Sequence, residues 1–399
     1  MLELSIAVRL IMDGNGGVKY LLTPGPLTTS LATKQAMLRD WGSRDAEFIA
    51  ITRHIQLRLL AIAEVEDSHV TVPVQGSGTF GVEATLGTLI APGQRTLVLE
   101  NGAYGKRIVT ILERIGREVS VLQWPEDQQV DAAALDKALG DDPGINHVVV
   151  VHCETTTGIL NDMVAVGRVT KAHNRRLIID GMSAFGALPI DGASVPFDAL
   201  IASSNKCFEG VPGMAFALID KQWLAQAEGN AHSVSLDLYE QWRGLEANGQ
   251  WRFTPPTHVL AAFDQALKEH GAEGGVAARH ARYNTNRDIL VQGMRALGFE
   301  TLLPDAVQAP IIITFLMPAD PRFEFARFYD DMSARGFVIY PGKLTLADSF
   351  RVGCIGALGA VEMQQAVAAA KATLEAMGID DLASTPTNQT GSLNRMGTS

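Results

Sequence analysis

Short apolar runs alternate with longer, mixed stretches along the first two thirds of the chain. A run such as 148–151 is apolar at every position, which is typical of a strand buried on both faces of a parallel sheet. The stretches between the runs have the pattern of helices that cover such a sheet. Because strands and helices alternate, the pattern predicts an α/β fold with a mostly parallel sheet and right-handed crossovers. The predicted strands are 70–75, 95–100, 118–124, 147–152, 175–180, 199–202 and 213–220, and the predicted helices are 79–90, 103–116, 131–139 and 163–174.

The last third of the chain predicts a second, smaller unit. Residues 257–298 have a helical pattern that is interrupted by GAEGG at 271–275. The segments that follow are predicted as strands at 311–315, 337–341 and 349–353 and as helices at 323–336 and 359–377. We therefore expect a large domain over residues 20–285, whose first residues pack on the small domain, and a small C-terminal α+β domain over residues 286–378.

The two ends of the chain differ from the rest in composition. Residues 4–12 are mostly apolar and are interrupted by Arg9, and this stretch is too short to cross a bilayer of ~30 Å. We expect residues 1–19 to be an N-terminal extension and no part of the chain to be a membrane anchor. Residues 379–399 are rich in Ser, Thr, Asn and Gly, and they are expected to form a disordered tail.

Two of the apolar runs are followed by polar residues that suit one kind of chemistry. The run 177–179 leads to Asp180, and the run 199–202 leads to Ser204, Asn205 and Lys206. At the carboxyl ends of neighbouring parallel strands, these residues lie where open α/β sheets bind ligands. A lysine amine can bind the aldehyde of pyridoxal phosphate covalently, and a carboxylate can keep the pyridine nitrogen of that cofactor protonated. Either residue alone is more often a helix cap or a solvated charge.

The turn Gly76-Ser77-Gly78-Thr79 lies between a predicted strand and a predicted helix. Successive amides at a helix N-terminus attract anions, and the two hydroxyls add further donors. The turn is therefore a candidate phosphate site, although a glycine-rich turn before a helix is more often only a turn.

Several motifs resemble those of the class V aminotransferases, which are pyridoxal phosphate enzymes of fold type I. They occur in the order of the family and span nearly all of residues 20–378. The resemblance implies a large domain with a mostly parallel sheet, and a smaller C-terminal α+β domain. The motifs are TPGPLTT (23–29), WGSRD (41–45), QGSGTFGVEA (75–84), ENGAYGKR (100–107), HCETTTGILN (152–161), IDGMSAFGALPID (179–191), SSNKCFEGVPGMAF (203–216), RFTPPTH (252–258), YPGK (340–343) and FRVGCIG (350–356).

The resemblance also implies a role for individual residues. Lys206 and Asp180 would be the catalytic pair, and Tyr104 would stack on the ring of the cofactor. Thr155 would lie near the 3-hydroxyl of the ring, and Thr254 would reach the phosphate in the other subunit of a homodimer with shared active sites. The remaining cofactor-binding residues would contact the phosphate: Ser77, Gly78, Thr79 and Asn205.

An arginine in the predicted small domain is the candidate for substrate binding. In FRVGCIG, Arg351 falls where the family anchors the acid group of its substrate, and a guanidinium can bind a carboxylate or a phosphonate through paired donors. The resemblance implies that the amino group of 2-aminoethylphosphonate passes to pyruvate, which gives phosphonoacetaldehyde and L-alanine. Arg44 and Lys343 are weaker candidates for additional phosphonate binding. Among other residues, His152 is expected to be structural and Cys207 a small buried residue.

Other functions remain open at this point. Another class V transaminase, with alanine or serine as donor and glyoxylate as acceptor, would have the same cofactor site. A lyase acting on a related aminophosphonate would need no keto acid. Cysteine desulfurase is less favoured, because no separate loop with a cysteine stands out near Arg351. A cofactor-free α/β protein could instead use residues 76–79 to bind a nucleotide.

Charge and cysteine content narrow the choice of partners and compartment. The formal net charge of −11 argues against binding to nucleic acid, which attracts basic surfaces. Cys153, Cys207 and Cys354 are widely spaced, odd in number and form no metal-ligand pattern. We therefore expect a cytoplasmic enzyme without a metal, acting on small molecules.

Overall fold

The structure is a computed structural model that describes residues 19–342, 347–380 and 382. A seven-stranded sheet forms the centre of the larger unit. In chain order, its strands are β2 (His69–Gln75), β3 (Arg95–Glu100), β4 (Glu118–Gln123), β5 (Ile145–Val151), β8 (Arg176–Asp180), β9 (Ala199–Ser203) and β10 (Met214–Asp220). The remaining described strands are β1 (Tyr20–Leu21), β6 (Cys153–Glu154), β7 (Ile159–Leu160), β11 (Ile312–Leu316), β12 (Phe337–Val338), β13 (Tyr340–Pro341) and β14 (Ser349–Gly353).

The spatial order in the large sheet is β2, β10, β9, β8, β5, β3, β4. Strands β9, β8, β5, β3 and β4 are parallel, whereas β10 is antiparallel to both of its neighbours. The prediction of an α/β fold with a mostly parallel sheet is therefore confirmed. The fold brings the carboxyl ends of β8 and β9 to the same edge of the sheet.

Helices cover both faces of this sheet. Successive residues of β5 alternate between the two apolar cores: Val148 and Val150 belong to one core, and Val149 and Val151 belong to the other. This alternation explains why the whole run 148–151 is apolar. The described helices are α1 (Leu31–Gln35), α2 (Ala46–Ala63), α3 (Gly78–Leu89), α4 (Ala103–Arg114), α5 (Ala132–Asp141), α6 (Met163–Ala172), α7 (Lys221–Ala225), α8 (Leu238–Asn248), α9 (Thr257–Glu273), α10 (Gly275–Ala296), α11 (Phe325–Ala334) and α12 (Ala360–Ala376), with a short 3-10 helix at Ala36–Leu38.

The smaller unit is built on a three-stranded antiparallel sheet with the order β11, β14, β13. Helices α10, α11 and α12 enclose a separate apolar core, which includes Phe299, Phe328 and Phe350. Strand β1 pairs with β12, and Leu22 lies in the same core. The start of the described chain is thereby attached to the smaller unit.

The predicted elements agree with the structure to within a few residues, with two kinds of difference. The predicted strand 337–341 is divided into β12 and β13, which pair with different partners. Helices α1, α2, α7 and α8, the 3-10 helix and strands β1, β6 and β7 were not predicted from the sequence. The domain boundary predicted at 285/286 falls inside α10, which contributes Tyr283 to one apolar cluster and Leu290 to another. Most of the two predicted terminal segments lies outside the described residues.

Within the described ranges, we find no helix that is both long and apolar enough to cross a membrane.

Replacement of Phe350 by Ala should disrupt the core of the smaller unit. The ring centroid of Phe350 lies 5.5–5.7 Å from those of four other phenylalanines, and its side chain is fully buried. Loss of a buried phenyl ring lowers the free energy of unfolding by about 3–5 kcal/mol. Chemical denaturation tests this against Val361→Ala, an exposed change on α12 that should cost under about 0.5 kcal/mol. Similar losses in the two variants would contradict the packing.

Candidate active site

A cavity of about 480 Å³ lies at the edge of the large sheet where β8 and β9 end. Neighbouring strand ends at such an edge are the usual ligand site of an open α/β sheet. The structure places most of the predicted cofactor-binding residues around this cavity: Ser77, Gly78, Thr79, Tyr104, Asp180, Asn205 and Lys206.

Lys206 follows β9 in a turn, and its side chain is directed to the segment before α1. The Nζ of Lys206 donates a hydrogen bond to the carbonyl oxygen of Pro24 at 2.5 Å. A Cβ on the next residue, Gly25, would displace this amine, and the φ of Gly25, 123°, also favours glycine. Burial lowers the pKa of Lys206 to about 8, because a dry site disfavours the ammonium form. A fraction of the amine is therefore neutral, and nucleophilic, near pH 7.

Asp180 is the last residue of β8, and its side chain is buried. Its Oδ1 accepts a hydrogen bond from the amide of Met182 at 2.9 Å. Burial raises the pKa of Asp180 to about 6, while this amide and the charges of Lys206 and Arg107 oppose the shift. The carboxylate is thus mostly ionised at neutral pH and can pair with a cationic ring nitrogen.

The turn between β2 and α3 provides donors for an anion. Gly76 has a φ of 128°, and Ser77 is the N-cap of α3 without a hydrogen bond from its own side chain to the helix. In the described part of the chain, the amides of Gly78 and Thr79 have no hydrogen-bond partner. These groups lie at the positive end of the α3 dipole. The turn is therefore suited to a phosphate, and its role in binding one stays a prediction.

The first turn of α4 contributes an aromatic ring and a guanidinium group to the cavity. Tyr104 and Arg107 both line it, and the Cζ of Arg107 lies 4.9 Å from the ring centroid of Tyr104. The Nη1 of Arg107 donates a hydrogen bond to Oγ1 of Thr79 at 3.2 Å. Arg107 was not among the predicted site residues. Its spacing of three from Tyr104, which places both on one helix face, is the signal that could have identified it.

Arg351 lies on β14 and is buried beside this region without lining the cavity. Its Nη1 donates to the carbonyl oxygen of Thr155 at 2.7 Å, and its Nε and Nη2 donate to that of Pro341 at 3.2 and 3.0 Å. Its positive charge also contributes to the lowered pKa of Lys206. Part of the donor set of Arg351 remains available within the described residues.

Three other predicted residues, Thr155, Thr254 and Arg44, do not line the cavity. Thr254 lies in a separate groove with Phe80 and Phe253, which are both exposed. Arg44 is exposed in the loop before α2. Lys343 lies outside the described residues, so the structure gives no position for it.

Buried polar atoms without partners indicate what the site can bind. The Oγ1 of Thr155 and the Oγ of Ser203 are buried and have no hydrogen-bond partner among the described residues. Ser203 lines the cavity and was missed, because a serine at the end of an apolar run resembles an ordinary strand terminus. Unsatisfied buried hydroxyls are uncommon in native proteins and often mark a place for a ligand. Together with the open turn at α3, they fit a ligand that carries a phosphate and a polar ring.

Two residues that were expected to be structural are buried near the site. Burial lowers the pKa of His152 to about 4, so that its imidazole is neutral. Burial raises the pKa of Cys207 to about 12, and its Sγ donates to the carbonyl oxygen of Ser183 at 3.3 Å. Cys207 is therefore a thiol and a poor nucleophile. No group of three or more metal-ligating side chains occurs in the described ranges.

Comparisons with solved structures reproduce the fold. The ureidoglycine-glyoxylate aminotransferase of Bacillus subtilis superposes with a TM-score of 0.84 at 21% identity, covering 92% of this chain and 96% of that one. The alanine-glyoxylate aminotransferase of a Nostoc species also superposes with a TM-score of 0.84, at 23% identity, covering 91% and 97%.

Comparisons of sequence are more specific. The family model of aminotransferase class V matches residues 30–329. The 2-aminoethylphosphonate-pyruvate transaminases of Pseudomonas putida KT2440 and Pseudomonas fluorescens Pf-5 are 53% and 54% identical to this chain over 362 residues, which are 91% of the chain and 98% of each relative. The chain belongs to the class V aminotransferase family.

Proposed function

We propose that the chain is a pyridoxal phosphate-dependent transaminase that transfers the amino group of 2-aminoethylphosphonate to pyruvate, with phosphonoacetaldehyde and L-alanine as products. The observation that carries this proposal is the arrangement of Lys206 and Asp180 at adjacent strand ends, with the charge of Arg351 acting on the lysine. The choice of donor and acceptor is supported by the relatives named for this reaction, which are 52–54% identical to the chain.

The residues around the cavity would bind separate parts of the cofactor. The turn from Ser77 to Thr79 would hold the phosphate through free amides and hydroxyls, assisted by Asn205. Tyr104 would stack on the ring, and Asp180 would hold a proton on the ring nitrogen. When bound, pyridoxal phosphate supplies an electron sink for the carbanion that forms on the substrate.

Lys206 would carry the proton during the reaction. Its amine, with a pKa lowered to about 8, can take a proton from the substrate carbon that bears the nitrogen. The protonated amine can then donate that proton later in the amino transfer. A group with a pKa near the working pH serves both steps, because it exists in both protonation states. Asp180 remains ionised throughout and keeps the site electrostatically favourable for positive charge on the ring.

Arg351 would bind the acid group of each substrate in turn. Its contacts to two backbone carbonyls fix the plane of the guanidinium before any substrate arrives. A fixed fork of donors binds the paired oxygens of a carboxylate or of a phosphonate. One residue can therefore serve 2-aminoethylphosphonate, pyruvate and L-alanine.

The position of Thr254 supports a shared site. It lies outside the cavity of its own chain, in a groove with exposed Phe80 and Phe253. We propose that this surface meets a second copy of the chain, so that Thr254 reaches the phosphate in the partner subunit. The three cysteines are free and buried, which agrees with the cytoplasmic location that we also propose.

The assignment is tested by two separate half-reactions. Addition of 2-aminoethylphosphonate to the protein with its cofactor should shift the visible absorbance, and pyruvate should restore it. The Lys206→Ala variant should lose this response and more than about 10³-fold in kcat, since the proton carrier is absent. A response to alanine or serine but not to the phosphonate would favour another class V transaminase. Turnover of the phosphonate without pyruvate would favour a lyase.

The pH dependence of cofactor capture should follow the pKa of Lys206. Only the neutral amine attacks the aldehyde, so the capture rate by the cofactor-free protein should rise with pH through about 8 and level off above it. A solvated lysine would show its rise near about pH 10.4 instead. Stopped-flow absorbance measures the rate, with Lys206→Ala as the control. An inflection near pH 10 would show that burial does not activate this amine.

The shared site is tested with mixed dimers. Lys206→Ala and Thr254→Ala subunits should each give low activity alone, the second by about tenfold through loss of one phosphate contact. In a mixed dimer, one site would carry both defects and the other would carry neither. Activity should therefore recover on mixing to more than either parent shows. If Thr254 serves its own chain, no site is intact and mixing restores nothing beyond the average.

A further inference from the structure

The carboxylate of Glu154 is buried directly beside the N-terminus of α4. Its Oε1 accepts the amide of Gly105 at 2.7 Å and that of Tyr104 at 3.0 Å. Its Oε2 accepts the hydroxyl of Thr156 at 3.1 Å, and that hydroxyl accepts the amide of Ala103 at 3.0 Å. All of the first three amides of α4 are thus held by two side chains from a turn about fifty residues further along the chain.

The N-cap residue of α4 has no side chain, and this leaves room for the contact with Glu154. The N-cap residue is Gly102, and a Cβ on it would lie 2.6 Å from the carboxyl group of Glu154. A serine, threonine or aspartate, the usual N-caps, would therefore collide with the carboxylate. The cap is supplied by Glu154 at the end of β6 and by the turn that follows it. These contacts attach the start of α4 to that turn.

The same turn also holds Arg351. The carbonyl oxygen of Thr155, between the two capping residues, accepts the Nη1 of Arg351 at 2.7 Å. Further along the turn, the carbonyl oxygen of Thr157 accepts the hydroxyl of Thr314 on β11 at 2.8 Å. Five consecutive residues, 154–158, therefore connect the helix of Tyr104 to the strands of the smaller unit.

We propose that Glu154 and Thr156 are positioning residues that set the distance between the Tyr104 ring and the Arg351 guanidinium. The proposal rests on the function proposed above, in which the ring stacks on the cofactor and the guanidinium binds the acid group of the substrate. The reacting carbon lies between these two contacts, so a shift of the helix relative to the turn misplaces it. Among the described residues, the side chains of Glu154 and Thr156 hydrogen-bond only to the start of α4 and to each other, and neither side chain lines the cavity.

The test compares Thr156→Val, which removes the hydroxyl, with Thr156→Ser, which keeps it. In the cofactor-free protein, the amide of Ala103 should exchange its hydrogen about tenfold faster in the valine variant and at the original rate in the serine variant. In the loaded enzyme, the valine variant should raise KM for both 2-aminoethylphosphonate and pyruvate by about tenfold and change the visible circular dichroism of the cofactor. Glu154→Gln, which removes the charge with little change in shape, should act in the same direction.

Asp162→Ala is the matched control. Asp162 caps α6 by accepting the amide of Ala165 at 3.0 Å, and the aspartate lies outside the residues that line the cavity. Its loss should lower stability as a cap does and leave KM and the circular dichroism unchanged. If Thr156→Val behaves like this control, the pair is only a helix cap and the proposal fails. If the wild-type enzyme does not use the phosphonate, the proposed function fails, while the hydrogen exchange and circular dichroism still decide the role of Thr156.

Discussion

The burial of the Lys206 amine at the edge of the sheet is the constraint on which the rest of the site depends. A buried amine loses its hydration, and this lowers its pKa into the range where it can exchange protons at neutral pH. The turn that contains Lys206 must therefore be held in place by hydrogen bonds within the protein and not by hydrogen bonds to water. The amide of Glu209 donates to the carbonyl oxygen of Lys206 at 2.8 Å, and Arg279 donates to that of Cys207 at 2.6 Å. The backbone of the lysine is thus held in place, and among the described residues its side-chain amine donates only to the carbonyl oxygen of Pro24.

These backbone contacts belong to a buried ionic network that reaches the smaller unit. Arg282 binds the Glu209 carboxylate at 2.7 Å, and it donates to the carbonyl oxygens of Gly356 and Leu358 just beyond β14. Buried charges of this kind are costly when one partner is removed, and they favour a single arrangement of the groups around them. Lys206 and Arg351, which come from different units, are in this way connected by residues that do not line the cavity. The turn at Glu154 provides a second connection between the larger and the smaller unit.

The sequence predicted the sheet, most of its helices and most of the candidate residues around the cavity. All of these follow from local patterns in the sequence. Apolar runs reveal a strand that is buried on both faces, but they carry no information about its direction, so the antiparallel pairing of β10 could not be predicted. Motifs likewise identified Lys206, Asp180 and the turn at 76–79, which the structure brings to one cavity. The cap that Glu154 provides for α4 depends on contacts with residues far away in the sequence. A buried glutamate in a two-residue strand has no periodic signal that marks it as a helix cap.

Helices α3 and α4 begin near each other at the cavity, but their N-termini differ in the number of free amides. This difference determines which helix end can bind an anion. Both helix dipoles present positive ends to this region, and either could attract an anion. At α4, the carboxylate of Glu154 accepts the amides of Tyr104 and Gly105, and the hydroxyl of Thr156 accepts that of Ala103, so no free donors remain among the first three. At α3, the amides of Gly78 and Thr79 are open, and Arg107 adds a positive charge next to Thr79. An anion therefore has open amide donors at the start of α3 and none among the first three amides of α4.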